Sequence, residues 1–157
     1  PDLAKAWVQS ATATSGIPEN LVLVDGPARS ATHGFTAVEL LASALVAEAM
    51  KQAAPASVFS RSTEGHNQDK VPMGALAARE LRGIQNLADH MLAISLLAAA
   101  QATDATGRAA ALPPALRAVH AAIRETCPAT GEDQRHDELI ARCLARYHAG
   151  ALPLVGG

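Results

Sequence analysis

The sequence predicts an all-α fold, a bundle organised around two long helices, and three observations support this prediction. Of its 157 residues, 49% are hydrophobic but only 3% are aromatic, so alanine and leucine supply most of the apolar surface. Both residue types favour helices because they lose little side-chain entropy there. Apolar residues also recur at intervals of three and four over two long stretches, which is the helical period. The composition excludes an all-β sandwich and a chain that is disordered over most of its length.

Residues 1–34 are predicted to be largely irregular. A short helix fits the first thirteen residues, and turn-forming residues follow it. Residues 21–24 are apolar and β-prone, but Pro18 and the Gly26-Pro27 pair bound them. We therefore expect a buried extended segment there.

The first long helix is predicted over residues 35–54, where nearly every face is apolar, and Pro55 marks its end. Such a helix is typical of the interior of a bundle. A membrane-spanning helix is the competing interpretation, but Glu39 and Glu48 interrupt the apolar run, and much of the apolarity comes from small alanine side chains. We therefore expect a bundle helix and no membrane partner.

The second long helix is predicted over residues 71–102. Asp69 is placed to cap its N-terminus, and Pro72 is tolerated only in its first turn. Between the two long helices, residues 55–69 form a polar loop without any periodicity. The two helices are expected to pack antiparallel, with this loop at one end.

Residues 103–157 are predicted to contain a connector followed by two shorter helices, at 115–127 and 133–148. The tail from Gly150 onward is expected to be loosely packed. No internal repeat divides the chain, so we interpret residues 1–157 as one helical segment.

Charge and cysteine spacing exclude several classes of partner and site. Thirteen basic and fifteen acidic residues give a net charge of −2, and no basic run is present that could bind nucleic acid or an anionic membrane surface. Cys127 and Cys143 have neither a CxxC nor a metal-ligand spacing, so we expect buried free thiols. No signal-peptide pattern opens the sequence, and the expected location is the cytoplasm.

The polar loop concentrates candidate functional groups between two rigid helices. Five polar residues fall within six positions there: Glu64, His66, Asn67, Gln68 and Asp69. A carboxylate can bind an ammonium group, and amides both donate and accept hydrogen bonds. A solvated, helix-capping loop is the alternative interpretation. A metal site built from Glu64, His66 and Asp69 has suitable ligand types, but the spacing matches no recognised pattern, so no metal is expected.

The histidines outside this loop suggest no catalytic role. His90 lies among apolar residues of the second long helix, which is typical of a core or interface histidine. Four others have no companion in the sequence that indicates catalysis: His33, His120, His136 and His148.

Seven short strings follow one another in a fixed order along the chain. They are Ser15-Gly16-Ile17-Pro18, Gly34-Phe35, Pro55-Ala56-Ser57-Val58, His66-Asn67-Gln68-Asp69, Val71-Pro72-Met73-Gly74, Ala77-Ala78-Arg79 and Leu92-Ala93-Ile94-Ser95-Leu96-Leu97-Ala98-Ala99-Ala100-Gln101-Ala102. In order and spacing they resemble the C-terminal part of the aromatic amino acid ammonia-lyases and aminomutases. The resemblance extends over most of the chain, from about residue 15 to residue 122.

The resemblance implies an enzyme that eliminates ammonia from an aromatic amino acid or moves its amine between carbons. Enzymes of this family use an electrophilic 4-methylidene-imidazole-5-one (MIO) group formed from an internal Ala-Ser-Gly. No Ala-Ser-Gly occurs in this sequence, and the nearest string, Thr14-Ser15-Gly16, lies in a different region of the family pattern. The resemblance therefore implies that the cofactor and the tyrosine base belong to an upstream part, and that this chain alone is inactive.

The resemblance also implies roles for five residues. Glu64 matches the family carboxylate near the substrate amino group, where it can bind an ammonium and transfer its proton. Gln68, the second catalytic candidate, matches a position that holds Glu in histidine-type enzymes and Gln in phenylalanine- and tyrosine-type enzymes. Asn67, in the same string, is assigned to substrate binding. Thr36 and Leu40 are one helical turn apart and match positions that border the aromatic ring.

Two hypotheses follow for the function. The first is the C-terminal part of a phenylalanine- or tyrosine-type ammonia-lyase or 2,3-aminomutase, joined to its upstream part and to further copies of itself, as a tetramer according to the resemblance. The alternative is a non-catalytic helical assembly module that keeps the bundle without a working site. Both predict an oligomer, because the two long helices carry more apolar surface than one core of this size can bury. Thr36 replaces the Met or Lys often found at its position, which leaves the ring substituent undecided.

Overall fold

Four α-helices organise the part of the chain that the computed structural model describes, residues 16–154. In chain order they are α1 (Thr36–Gln52), α2 (Gly74–Ala105), α3 (Pro114–Arg124) and α4 (His136–His148). Between residues 16 and 154 there is no β-strand, and the isolated bridge found there joins Thr63 to Gln68. The predicted all-α class is confirmed.

The two long helices α1 and α2 pack against each other in opposite directions, as predicted. At one end, Gln52 lies so close to Gly83 that a Cβ added to the glycine would come within 2.6 Å of the Gln52 Oε1 atom. At the other end, the Phe35 N–H and the Gln101 side chain both donate to carbonyls of residues 20–21. The start of α1 therefore lies beside the end of α2.

The core lies where the second half of α2 meets α1 and α4. The small alanines of α2 allow this close approach, since Ala93 and Ala98 are at most 1% exposed. The largest fully buried side chains are those of Leu21, Phe35, Ile94, Leu97, Gln101, Cys127 and Cys143. The two thiols are free and buried, as predicted.

The segment before α1 is irregular, with two 3-10 turns at Glu19–Leu21 and Gly26–Ala31. Leu21 is buried, as predicted. Its φ of 55° is left-handed, however, so the predicted extended conformation is wrong at this residue. The extended backbone begins one residue later, at the buried Val22. The short helix predicted in the first thirteen residues lies outside the described part of the chain.

The second long helix begins later than predicted, and Asp69 does not cap it. Met73 precedes the helix in a left-handed conformation, and no side chain caps that end. Pro72 is the physical reason, because a proline disfavours helical backbone at the residue before it. That residue, Val71, instead donates its N–H to the Ser60 Oγ atom at 2.8 Å.

The C-terminal boundaries also differ from the prediction. α4 begins at His136 rather than at residue 133, because the Asp133 carboxylate accepts hydrogen bonds from backbone N–H groups that precede α1. α3 ends three residues earlier than predicted. Leu152 contradicts the expectation of a loose tail, because it is only 7% exposed and joins the core, while the other residues of 150–154 are exposed.

α1 leaves three large apolar side chains uncovered on its solvent-facing half. Leu40, Leu41 and Met50 are 63%, 40% and 73% exposed, with Leu41 and Met50 on opposite edges of that half. Within residues 16–154, neither α1 nor any other helix has the length and apolarity needed to cross a membrane. An exposed apolar face of this kind is typical of a contact with another protein surface.

Candidate functional site

The polar loop folds into a tight hairpin at its tip. The Thr63 N–H donates to the Gln68 carbonyl at 2.9 Å, and the Gln68 N–H donates to the Thr63 carbonyl at 3.2 Å. The Thr63 hydroxyl also donates to Gln68 Oε1 at 3.0 Å. The Gln68 side chain is thereby held in place through its oxygen, and its amide nitrogen has no hydrogen-bond partner among the described residues.

Three consecutive residues of this hairpin have a positive φ. The angles are 53° for Glu64, 60° for Gly65 and 71° for His66, and two of these residues are not glycine. A left-handed backbone at a non-glycine residue costs about 1–2 kcal/mol, and such residues cluster at functional sites. The turn is held by the Asn67 N–H, which donates to the Glu64 carbonyl at 3.1 Å, and by a 2.7 Å hydrogen bond between Ser62 Oγ and His66 Nδ1.

The base of the loop is anchored while its tip is exposed. Ser60 is 7% exposed, and its hydroxyl accepts the Val71 N–H, so the two ends of the loop are tied together. Ala56, at the start of the loop, is buried. All of residues 61–70 are exposed. The loop therefore presents Glu64, Asn67 and Gln68 to the surroundings from one short, constrained turn.

Thr36 and Leu40 lie at the other end of α1. Thr36 is half-buried in the first turn, where its hydroxyl donates to the His33 carbonyl at 2.7 Å. Leu40, one turn on, is 63% exposed. At a rise of 1.5 Å per residue, about 24 Å of helix separates Thr36 from Gln52, where α1 ends.

The polar loop extends still farther from Thr36. Gly83 lies beside Gln52, and α2 begins nine residues before it, about 14 Å beyond the end of α1. Within one copy, the structure thus brings Glu64, Asn67 and Gln68 together but leaves Thr36 and Leu40 in a separate place.

A buried polar network that sequence reasoning missed joins α2 to the C-terminal segments. Gln101 is fully buried, and its Nε2 donates to the Leu21 carbonyl at 3.1 Å and to the Thr130 carbonyl at 2.8 Å. Arg124 also reaches this network, donating to Gln101 Oε1 at 3.4 Å and to the Cys127 carbonyl at 2.8 Å. The sequence signal for this network is Gln101 itself, which is the single amide side chain in the largely apolar second half of α2.

Three histidines have carboxylate partners that lie far from them in the sequence, and one of these pairs joins His148 Nε2 to Asp89 Oδ2 at 3.5 Å. His120 Nε2 is 2.8 Å from Asp104 Oδ1, and Arg124 Nε donates to the other oxygen of Asp104 at 2.7 Å. His33 Nδ1 is 3.1 Å from Asp133 Oδ2. Spacing along the chain indicates none of these three pairs, because only the fold brings the partners together.

A cavity of about 460 Å³ lies between α2 and α3, and none of the predicted site residues lines it. Its wall is mainly apolar and includes His120 and Arg108 at polar positions. The other lining residues include Ile17, Leu96, Thr103, Leu112, Leu116 and Val119. Across residues 16–154, no group of three or more His, Cys, Asp or Glu side chains is placed to hold a metal ion.

One family profile covers both the polar hairpin and the two long helices. The sequence profile of the aromatic amino acid lyases matches residues 5–125, more than half of the chain. The chain belongs to the aromatic amino acid lyase family. The match in this lyase-family chain therefore extends beyond the short sequence strings that resemble the family.

Curated relatives of this lyase-family chain include enzymes of two reaction types. The MIO-dependent tyrosine 2,3-aminomutase of Streptomyces globisporus is 40% identical over 134 residues, which are 83% of this chain and 24% of the relative. The tyrosine ammonia-lyase of Cupriavidus metallidurans is 40% identical over 119 residues, which are 76% of this chain and 22% of the relative. The chain therefore spans about a quarter of the length of these relatives.

Solved structures of family members share the fold. The tyrosine aminomutase from Streptomyces globisporus aligns with a TM-score of 0.82 at 35% identity, over 96% of this chain and 28% of that structure. The histidine ammonia-lyase from Trypanosoma cruzi aligns with a TM-score of 0.81 at 26% identity, over 96% of this chain and 29% of that structure. The lyase-family chain thus has the helical architecture of one region of these larger proteins.

Proposed function

We propose that this chain is the C-terminal part of an ammonia-lyase or 2,3-aminomutase that acts on tyrosine or phenylalanine. The observation that carries the proposal is the constrained hairpin, which presents Glu64, Asn67 and Gln68 together in a chain of the aromatic amino acid lyase family. The names of the two 40%-identical relatives support tyrosine as a substrate. Gln68, rather than Glu, at its position in the hairpin supports a substrate other than histidine.

The three loop residues suit the polar groups of an amino acid. Glu64 makes no ion pair among the described residues, so its carboxylate is available to bind the substrate ammonium and take up its proton. The Gln68 amide nitrogen, which has no protein partner, is available to donate to the substrate carboxylate. Asn67 adds a second neutral amide. The Glu64 carboxylate thus suits the substrate ammonium group, and the neutral amide donors suit the substrate carboxylate.

The electrophile of the reaction is proposed to come from outside these 157 residues. The family's MIO group, when present, supplies an electrophile that makes the amine a leaving group, and the Streptomyces relative is named as MIO-dependent. The printed sequence contains no Ala-Ser-Gly from which that group forms. The residues of this chain fit the complementary task, which is to hold the substrate's charged groups and move a proton.

A complete site is proposed to need more than one copy of the chain. Thr36 and Leu40 lie about 24 Å and about 18 Å of helix before the end of α1, and the hairpin lies beyond that end in a single copy, too far for them to border the same amino acid. Leu40 also lies on the exposed apolar face of α1. We therefore place the ring-bordering pair of one copy next to the hairpin of another, within a homo-oligomer that the family resemblance makes a tetramer.

Reconstitution tests this proposal. The chain is expressed alone and together with the upstream part encoded by its intact reading frame, and each sample is incubated with tyrosine or phenylalanine. Ammonia and the aryl acrylate report lyase activity, and the β-amino acid reports mutase activity. We expect turnover only in the combined sample. A combined sample that carries MIO but turns over neither amino acid would contradict the proposal.

The second candidate function is a non-catalytic assembly module, and the exposed face of α1 favours it. Leu41 and Met50, on opposite edges of the solvent-facing half of α1, are 40% and 73% exposed. Light scattering on the wild type and on Leu41→Glu/Met50→Glu shows whether this face holds copies together. An oligomer that forms through α1 while the reconstituted sample stays inactive would favour the assembly module over the enzyme.

A further inference from the structure

The α2/α3 groove is the cavity of about 460 Å³ whose walls are one face of each of these two helices. The lining residues of α2 recur at intervals of three and four, which is the period of a single helix face. They include Leu96, Ala99, Thr103 and Thr106. The lining residues of α3 have the same period and include Leu116, Val119 and Ile123. From Leu96 to Thr106 the α2 wall is about 15 Å long.

Most polar side chains in the wall of the groove are already satisfied within the chain. The Thr103 and Thr106 hydroxyls each donate to a backbone carbonyl one turn back, at 2.9 Å and 3.0 Å. His120 is paired with Asp104. Arg108, the remaining polar residue among those described in the wall, is exposed. A polar ligand gains little from groups that have partners, whereas an apolar surface gains by leaving water. The groove therefore suits an apolar occupant.

The α3 wall of the groove leaves apolar surface open to solvent. Leu116 is 55% exposed and Val119 is half-buried, although both are apolar lining residues. On the opposite wall, the side chain of Ala99 is small, so a neighbouring backbone can come close. An open apolar groove between two helices is a typical docking surface for the apolar face of a further helix. The shape of the groove thus fits a third helix packed along α2 and α3.

The chain reaches the groove at Ile17, which is one of its lining residues. Just before it, Gly16 has a left-handed φ of 69°, and Pro18 follows two residues after the glycine. A left-handed glycine with a proline shortly after it is typical of the C-terminus of a helix. Residues 1–15 lie outside the described part of the chain, and the sequence predicts a short helix in the first thirteen of them. Both features favour a helix that leads directly to the wall of the groove.

The sequence before Gly16 has an apolar stripe at helical spacing. Its members are Leu3, Ala4, Trp7, Val8 and Ala11. A helix over residues 3–13 is about 15 Å long, which equals the length of the α2 wall. The family profile begins at residue 5, so it includes most of this stripe as well as α2 and α3. The segment therefore matches the groove in length, in apolar character and in its place along the chain.

We propose that the α2/α3 groove is the docking surface for residues 3–11 of the same chain, with the Trp7 indole inserted between the two helix walls. Tryptophan has the largest apolar surface in the stripe, so its burial contributes most to the contact. The inference goes beyond the proposed function, because it requires neither the upstream part nor turnover. Its test therefore gives a result whether or not the reconstituted enzyme is active.

Intrinsic fluorescence tests this docking, because Trp7 is the only tryptophan in the sequence. We expect the wild-type chain to emit at a shorter wavelength than N-acetyl-tryptophanamide, since an indole in an apolar groove is shielded from water. Acrylamide should also quench the chain less than it quenches the free amide. Both properties should be independent of protein concentration, because the segment and the groove belong to one chain.

Leu116→Glu tests whether the groove is what shields Trp7. A carboxylate in this wall disfavours an apolar occupant, so emission should shift toward that of the free amide and quenching should increase. Leu81→Glu is the matched control, because Leu81 is also 55% exposed but is not among the residues that line the groove. Its fluorescence should equal that of the wild type. Ala99→Leu fills part of the groove without adding a charge and should also expose Trp7.

Three results would overturn the proposal. The first is wild-type emission and quenching equal to those of the free amide, which would show that Trp7 is exposed. The second is wild-type fluorescence in both Leu116→Glu and Ala99→Leu, which would place Trp7 outside the groove. The third is an emission shift that disappears on dilution, which would assign the groove to a second copy. Circular dichroism measures the helix content of each variant, and Ala99→Leu decides the outcome if Leu116→Glu loses helix.

Discussion

Gln101 and Thr130 bond to each other reciprocally inside the core. The Gln101 Nε2 atom donates to the Thr130 carbonyl at 2.8 Å and lies 2.9 Å from its hydroxyl oxygen, while the Thr130 N–H donates to Gln101 Oε1 at 3.1 Å. This pair ties the end of α2 to the turn before α4. Since the same amide also holds the Leu21 carbonyl, one side chain joins three segments that are distant in sequence.

Gln101→Leu should destabilise the protein. It removes the partners of the Leu21 carbonyl and the Thr130 N–H, and each unsatisfied buried group costs about 1–3 kcal/mol. We expect the free energy of unfolding in urea to fall by about 3 kcal/mol. Gln85→Leu, on an exposed face of the same helix, is the matched control and should change it by less than about 0.5 kcal/mol. Equal stability of the two variants would contradict the structural role of Gln101.

Gly34→Ala should prevent normal packing at the start of α1. The new Cβ would lie 2.3 Å from the Asn20 carbonyl oxygen, and the φ of 53° disfavours any residue with a Cβ. A loss of more than about 2 kcal/mol in the free energy of unfolding is expected. Gly74→Ala, where the added Cβ meets open space, serves as the control. Circular dichroism monitors the thermal unfolding of both variants. Coincident unfolding midpoints would contradict the predicted loss of stability in Gly34→Ala.

The Cys143 thiol should make the fold sensitive to alkaline pH. Burial, aided by the nearby Cys127, raises the pKa of Cys143 from 9.0 to about 11. Above pH 9 the unfolded chain therefore loses this proton before the folded chain does, so stability falls as pH rises, by up to about 1.4 kcal/mol per pH unit. Urea unfolding of the wild type and of Cys143→Ala between pH 8 and 11 measures how the free energy of unfolding depends on pH. Parallel profiles of the two proteins would contradict a contribution from Cys143.

Glu64→Ala should lower turnover of the reconstituted enzyme. The loss of a positioned acid–base group typically costs about 10²-fold or more in kcat. Asp69→Ala is the control, because Asp69 is another exposed carboxylate of the same loop and does not cap α2. Initial rates with tyrosine report the effect. Wild-type rates in Glu64→Ala would favour the alternative interpretation, in which the loop is solvated and forms no site.

Gln68→Glu should weaken substrate binding while preserving the hairpin. The carboxylate keeps an oxygen that can accept the Thr63 hydroxyl, so the turn is retained. It also replaces a donor by a negative charge near the substrate carboxylate, and one such repulsion corresponds to about a tenfold rise in KM. Steady-state kinetics with phenylalanine and tyrosine test this. An unchanged KM would show that Gln68 does not face the carboxylate.

The sequence by itself determined the fold class, the two long helices and the polar loop between them. These features depend on local properties, namely helix propensity, apolar period and proline positions, which act over a few residues. The buried state of Cys127 and Cys143 also follows from local composition. The grouping of Glu64, Asn67 and Gln68 was predictable for the same reason, since they lie within five positions of one another.

Only the tertiary structure decided which distant residues meet. The contacts of Gln101 with Thr130, of Asp104 with His120 and of Asp133 with His33 join positions 29, 16 and 100 residues apart. No local pattern encodes such pairs, because each depends on how whole helices are placed by burial of their apolar faces. The separation of Thr36 from the hairpin has both origins: α1 by its own length spans about 24 Å, and its antiparallel packing with α2 puts the hairpin beyond the far end of α1.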